Sequence, residues 1–265
     1  MRYSILLLLV VIACAQQKTD QNVSAPMVVA TYPSCDTVPS NLLKVYFRFS
    51  EPMQEYRSSQ FIRLIDNTTG DTIKDAFLDL KPELWNEDET VLTLWLDPGR
   101  IKQDLVPNRE LGTVLKDHKT YRLEVSKGWK SKKGVTSASN YMRTFFTVSR
   151  DVTQPTVDTW TVAATKGRIV VNTNETIDWM LLNNRVSVWS GDRLIEAETF
   201  SEVCERQLII IPKKPLERGN YSVVVEETLE DLAGNNLNRL FETDVTAPSK
   251  KSVNKQDHRL TFTIN

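Results

Sequence analysis

Three cysteines (Cys14, Cys35 and Cys204) and two histidines (His118 and His258) are the whole supply of thiol and imidazole in this chain. That is thin material for nucleophilic catalysis, which sets a Cys or Ser beside a base that a third group orients. His118 sits in the polar run Lys116-Asp117-His118-Lys119 and reads as an exposed turn residue, while His258 precedes the alternating tail Arg259 to Ile264. No Gly-x-Ser-x-Gly, His-Glu-x-x-His or Cys-x-x-Cys occurs. The chain is therefore read as a non-enzyme with no catalytic residue to assign and no cofactor. Glu83, Glu87, Asp88 and Glu89 do crowd Trp85, and paired carboxylates beside an aromatic can bind or hydrolyse sugars. A carbohydrate-binding accessory role, with Trp85 and Trp95 as ligand-binding candidates, and a hydrolase using this loop cluster stand as alternatives to a plain solvated loop. Trp129, Trp160, Trp179 and Trp189 are expected to fill cores. Lys127, Lys130, Lys132 and Lys133 read as a solubilising hairpin tip.

The first cysteine belongs to a different chemistry. Arg2 and the apolar run Ile5 to Ala13 form a signal-peptide pattern too short to span a bilayer. The run ends in Val11-Ile12-Ala13-Cys14, which resembles the bacterial lipobox. The resemblance implies cleavage before Cys14 and acylation of its thiol and new amino terminus, and two or more acyl chains give stable membrane attachment. Residues 14–25 are polar and read as a flexible tether. Ala15 after the cysteine implies the outer membrane of the cell envelope. Removing Cys14 leaves Cys35 and Cys204 in a compartment where disulfides persist. They fall in different expected domains, so a bridge requires an interface that sequence does not reveal; two small buried hydrophobes are the alternative.

Lys plus Arg (33) nearly balances Asp plus Glu (34). No field of one sign is available to attract nucleic acid, so no nucleic-acid partner is expected. Period-two alternation rich in Val, Ile, Thr, Phe and Tyr predicts strands over Leu43–Phe49, Val91–Leu96, Tyr121–Val125, Arg143–Val148, Arg168–Thr173, Gln207–Ile211 and Tyr221–Val225. Lys44 to Met53 aligns without gaps on Arg168 to Ile177, and Tyr121 to Val125 echoes Tyr221 to Val225. The spacing of these echoes places about two dozen extra residues in loops of the first copy, an insertion that chain entropy tolerates. The boundary falls in the polar stretch Ser149 to Pro155.

Tyr32-Pro33 through Val38-Pro39, then Phe49-Ser50-Glu51-Pro52-Met53, resembles the opening of bacterial Ig-like modules of the S-layer-protein (SbsA-like) type. Thr228 to Leu237, with Asp231-Leu232-Ala233-Gly234-Asn235 at its centre, resembles their closing loop, and Trp129 to Val135 departs from that pattern in the first copy. The expectation is an all-β chain: a lipoprotein signal peptide (1–13), tether (14–25), two tandem immunoglobulin-like β-sandwiches (26–149 and 150–247) and a tail (248–265) able to add a strand. Asp231, Gly234 and Asn235 should make a tight turn into a last strand over Leu237–Val245. A structural turn is preferred there to a calcium site, since Glu230 and Asp231 are the nearby carboxylates and no EF-hand ladder exists. The opening motif also resembles a small copper-binding sandwich, but Met27 and Met53 are isolated, so no metal is expected. The resemblance implies a binding, scaffolding or spacer module whose partners are the membrane, through Cys14, and a protein or glycan.

Overall fold

The computed structural model describes residues 24–103, 105–242 and 257–265. Cys14, the expected leader, most of the tether and the first half of the tail lie outside them. Strands β1 (Val28–Tyr32), β2 (Thr37–Pro39), β3 (Lys44–Phe49), β4 (Ile62–Asp66), β5 (Leu84–Trp85), β6 (Val91–Trp95), β7 (Thr120–Val125) and β8 (Tyr141–Val148) form two sheets, ordered β1-β3-β6-β5 and β2-β8-β7-β4. They close on a core that includes Phe47, Leu64, Leu92, Tyr121 and Trp129. Strands β9 (Thr161–Ala164), β10 (Ile169–Asn172), β11 (Val186–Ser190), β12 (Arg193–Ile195), β13 (Ala197–Glu202), β14 (Gln207–Pro212), β15 (Gly219–Val225) and β16 (His258–Ile264) give sheets β13-β14-β10-β9 and β12-β11-β15-β16. A second core includes Trp160, Ile169, Val188, Leu208 and Val223. The fold is an all-β sandwich architecture, as the alternation predicts. Among the described residues its helices are short: α1 (Ser58–Phe61), α2 (Pro98–Ile101), α3 (Val106–Leu111) and α4 (Trp179–Asn184).

The internal repeat holds at the level of individual hydrogen bonds. Met53 N–H donates to the Glu89 carbonyl as Ile177 N–H does to that of Glu205, and Met53 bridges Ser131 as Ile177 bridges Asp231. Ser131 to Val135 and Asp231 to Asn235 make the same turn, each closed by N–H(131 or 231) on C=O(135 or 235), with Gly134 and Gly234 both at φ 82°. The first copy therefore keeps the closing loop that its sequence hides. Ser131, Lys132, Lys133 and Val135 stand where the second copy has Asp231, Leu232, Ala233 and Asn235, and the turn survives because a glycine at the positive-φ position is what it requires.

The expected last strand over Leu237–Val245 is a correction. Among the described residues, 237–242 form no strand; Asn236 bridges Arg239, and Phe241 turns away to pack on the first core. The strand that completes the second sandwich is β16, which pairs with β15 from Ile264 opposite Gly219 to His258 opposite Val225. Within the closing turn Gly234, not Asn235, takes the positive φ. The contribution of Asn235 is its side chain, whose amide donates to Asp231 Oδ2 (2.9 Å).

Candidate functional site: the junction between the sandwiches

The outer face of sheet β1-β3-β6-β5 carries Lys44 and Tyr46 of β3, both buried. They alternate with Val45 and Phe47, which enter the first core. What buries them is the second unit. Asp178 caps α4 by accepting from Leu181 N–H (3.0 Å), and its carboxylate also accepts from Tyr46 Oη (2.7 and 2.8 Å) and Lys44 Nζ (3.3 Å). Lys44 Nζ reaches Glu230 at 2.7 Å and lies 5.0 Å from the Trp95 ring centre. Burial pulls the Lys44 pKa down, but Asp178 and Glu230 outweigh it and hold the ammonium above its usual range. Burial and the Asp178 charge push the Tyr46 hydroxyl well up, so it stays a donor. Trp179 completes the contact by stacking on Tyr32 at 4.0 Å.

A second group of contacts ties loop to loop. Arg143 of β8 donates to the carbonyls of Thr31, Pro33 and Cys35, fixing the segment between β1 and β2. Against it lies the β13–β14 hairpin tip, where Val203, Cys204 and Glu205 all have positive φ (51°, 59° and 52°). Left-handed backbone costs about 1–2 kcal/mol per non-glycine residue, so the surrounding contacts must hold this tip in place. Glu205 supplies the hold: its buried carboxylate accepts from Ser34 N–H (2.8 Å), although burial raises its pKa. Cys35 Sγ lies 3.5 Å from the Cys204 carbonyl oxygen and 3.7 Å from Thr176 Oγ1.

The third group surrounds the linker. Asn41 and Asp151 exchange two hydrogen bonds (2.8 and 2.9 Å), and Asn235 donates to the Asp151 carbonyl at 3.4 Å. Leu43 N–H donates to the Leu232 carbonyl (2.9 Å), which brings Leu232 into the first core. Asp151, Glu175 and Asp231 place carboxylate oxygens within 4.8 Å of one another, the one group among the described residues whose spacing suits a cation. Asp231 is already engaged, accepting from Ala233 N–H (2.7 Å) and Asn235 N–H (3.0 Å), as its turn role predicts. Burial raises the pKa of Glu175 and of Asp231 to about 7 each.

No protein-family model and no curated protein matches the sequence. Among solved structures, the chain is similar to native alpha-2-macroglobulin from Escherichia coli at 12% identity and a TM-score of 0.30, over 91% of this chain and 72% of that one. It is similar to an I-band fragment of titin at 11% identity and a TM-score of 0.23, over 91% and 65% of the two chains. Murine CEACAM1b gives 10%, 0.18, 72% and 87% for the same four quantities. Scores this low say nothing of activity or partners.

The residues singled out from sequence land apart. Trp85 pairs with Leu92 and turns to the core side, where it packs on Phe49 and Trp129 and donates Nε1–H to Glu83 (3.0 Å). Trp95 pairs with Lys44 on the opposite face of the same sheet. The two cannot line one ligand surface. Glu83 also accepts from Tyr56 N–H, Ser58 N–H and Ser58 Oγ, Glu89 pairs with Lys132, and Glu87 and Asp88 are exposed, so the carboxylate cluster is dispersed. Lys132 and Lys133 are paired with Glu55, Glu89 and Glu51. Trp129 and Trp160 do fill the cores, whereas Trp179 fills the junction. Sequence alone does not bring Lys44, Tyr46 and Asp178 together as a site. A lysine in an apolar strand was the available signal.

Proposed function

We propose that the chain is a non-enzymatic lipoprotein of the bacterial cell envelope, held by acyl chains on Cys14. Its two sandwiches, of the S-layer-type Ig-like kind, act as one stiff binding or spacer module. The observation that carries this reading is the buried Lys44–Asp178–Tyr46 network with its Trp179–Tyr32 stack, which joins the units through ordered side chains instead of a free linker. Interfaces inside a chain are ordinarily small and polar and allow domains to move; a desolvated charge pair fixes register because misalignment strands a buried charge. A stiff module presents a surface at a set distance from its anchor. Metabolic labelling with a fatty-acid probe tests the anchor: wild type should take label and Cys14→Ala should lose it, whereas equal labelling removes lipidation there. Crosslinking and pull-down from intact cells test the binding role, and a chain recovered with no crosslinked partner leaves the spacer role alone.

A further inference from the structure

We propose that Cys35 and Cys204 form a disulfide that fastens the second sandwich to the first. Both backbones are clamped before any bond forms: the Cys35 segment by Arg143, and the Cys204 tip by Glu205 on Ser34 and by Ile177 N–H on the Glu205 carbonyl (3.2 Å). The Cys35 sulfur already touches the Cys204 main chain at 3.5 Å. A disulfide needs backbones that face each other within about 7 Å at Cα, and the 3.5 Å contact of Cys35 Sγ with the Cys204 carbonyl brings these two fixed loops side by side. The left-handed run Val203 to Glu205 also gains a purpose, since it turns the tip toward the first sandwich at the cost of local strain.

The oxidant is a disulfide-bearing thiol carrier, either small, such as oxidised glutathione, or a protein. Cys204 is half-exposed and Cys35 is buried, so the Cys204 thiolate attacks the carrier disulfide and expels one carrier thiolate. The Cys35 thiol then loses its proton, and its sulfur attacks Cys204 Sγ, forming the intramolecular bond and expelling the second carrier half. Two thiols lose two electrons and two protons, and the carrier disulfide becomes two thiols. Burial pushes the Cys35 thiol up to about 12, with the neighbouring Cys204 adding to the shift and the Thr176 hydroxyl opposing it. The second step needs the Cys35 thiolate and therefore speeds up as pH rises.

The inference does not depend on the Cys14 anchor, and its test removes that thiol. Full-length chain carrying Cys14→Ser is equilibrated with reduced and oxidised glutathione, acid-quenched, alkylated and digested without reductant. The peptide containing Cys35 should be recovered linked to that containing Cys204, with complete loss of the linked species in Cys204→Ser and in Cys35→Ala. Should the buried Cys35→Ala fail to fold, Cys204→Ser at the half-exposed tip suffices as the control. The same chain in urea should give glutathione adducts in place of the link. Folded chain, verified by circular dichroism, that returns both cysteines alkylated or separately glutathionylated overturns the proposal.

Discussion

Two residue-scale features of the junction set its energetics. Lys44 is 8% exposed and shared by two carboxylates, and removing one partner of a buried pair costs more than the pair itself contributes, because the other charge stays in place without compensation. Lys44→Met should lower unfolding stability by about 3 kcal/mol, whereas Lys213→Met, which breaks the exposed pair with Glu196, should leave the urea midpoint unchanged. The carboxyl trio adds a pH dependence. Glu175 rises from an ordinary 4.5, and Asp231 from 3.8, to about 7 in the folded chain; burial is the main cause for both, with Asp151 adding to it and Arg206 opposing it at Glu175. Folded carboxyls that keep their protons longer than unfolded ones contribute stability that is fully present below the unfolded values and is lost as pH rises through about 7. Asp151 and Arg206 are the charges that act on Glu175, and Asp151 and Glu175 those that act on Asp231; Lys44, held above its usual range, keeps its charge across this window. The urea midpoint should therefore fall between about pH 5 and about pH 8, and Glu175→Gln should raise it at the upper end and flatten the profile. A wild-type midpoint that climbs over this interval would contradict the assignment.

At the scale of elements, the two closing turns offer a matched comparison. Gly134 and Gly234 share φ 82°, but a Cβ on Gly134 meets nothing within 4 Å, whereas one on Gly234 lies 2.5 Å from Leu43 Cδ2 and 3.2 Å from Phe241. Gly134→Ala should cost about 1 kcal/mol, the left-handed term alone. Gly234→Ala should cost about 3 kcal/mol, since overpacking adds to that term and wedges the turn off the first sandwich. Equal losses in denaturant titrations would mean that the second turn does not bear on Leu43. The same pair shows what the sequence discloses. Val45 and Phe47 alternate with Lys44, Tyr46 and Arg48, and Leu92 and Leu94 flank Thr93, so their strands and the cores follow from side-chain period. The turn shared by Ser131 to Val135 and Asp231 to Asn235 was half legible: the glycine was visible, but Ser131 and Val135 in place of Asp231 and Asn235 masked the likeness of the first copy. The alternation from Arg259 to Ile264 made a strand in the tail legible, but not that it takes the place expected for Leu237–Val245, because Leu237 and Phe241 have strand-like character and only their three-dimensional neighbour, the first core, decides where they go.

For the whole molecule, the decisive question is whether two cores mean two independent folding units. Leu232 and Phe241 come from the second copy and pack in the first core, Asp178 and Trp179 cover the first sheet, and Asp151 of the linker is bonded from both sides. None of these long-range partners could be paired from sequence. Lys44 and Asp178 look like ordinary surface charges until the outer face of β3 is known to be covered. Sequence repeats alone suggest beads on a string, which would melt separately. The packing suggests instead that neither core reaches full burial without the other, and cooperative unfolding follows when interface free energy exceeds the difference between unit stabilities. Calorimetry of the wild type should give one transition whose calorimetric and van't Hoff enthalpies agree. Trp179→Ala deletes the ring stacked on Tyr32 and should split or broaden that transition while leaving the far-ultraviolet spectrum of the folded chain intact. Small-angle scattering should then report a larger radius of gyration for the variant, as freed units sample open arrangements. Two well-separated transitions in the wild type would show that the buried charges set orientation without coupling the units, and the stiff-module reading would then rest on geometry alone.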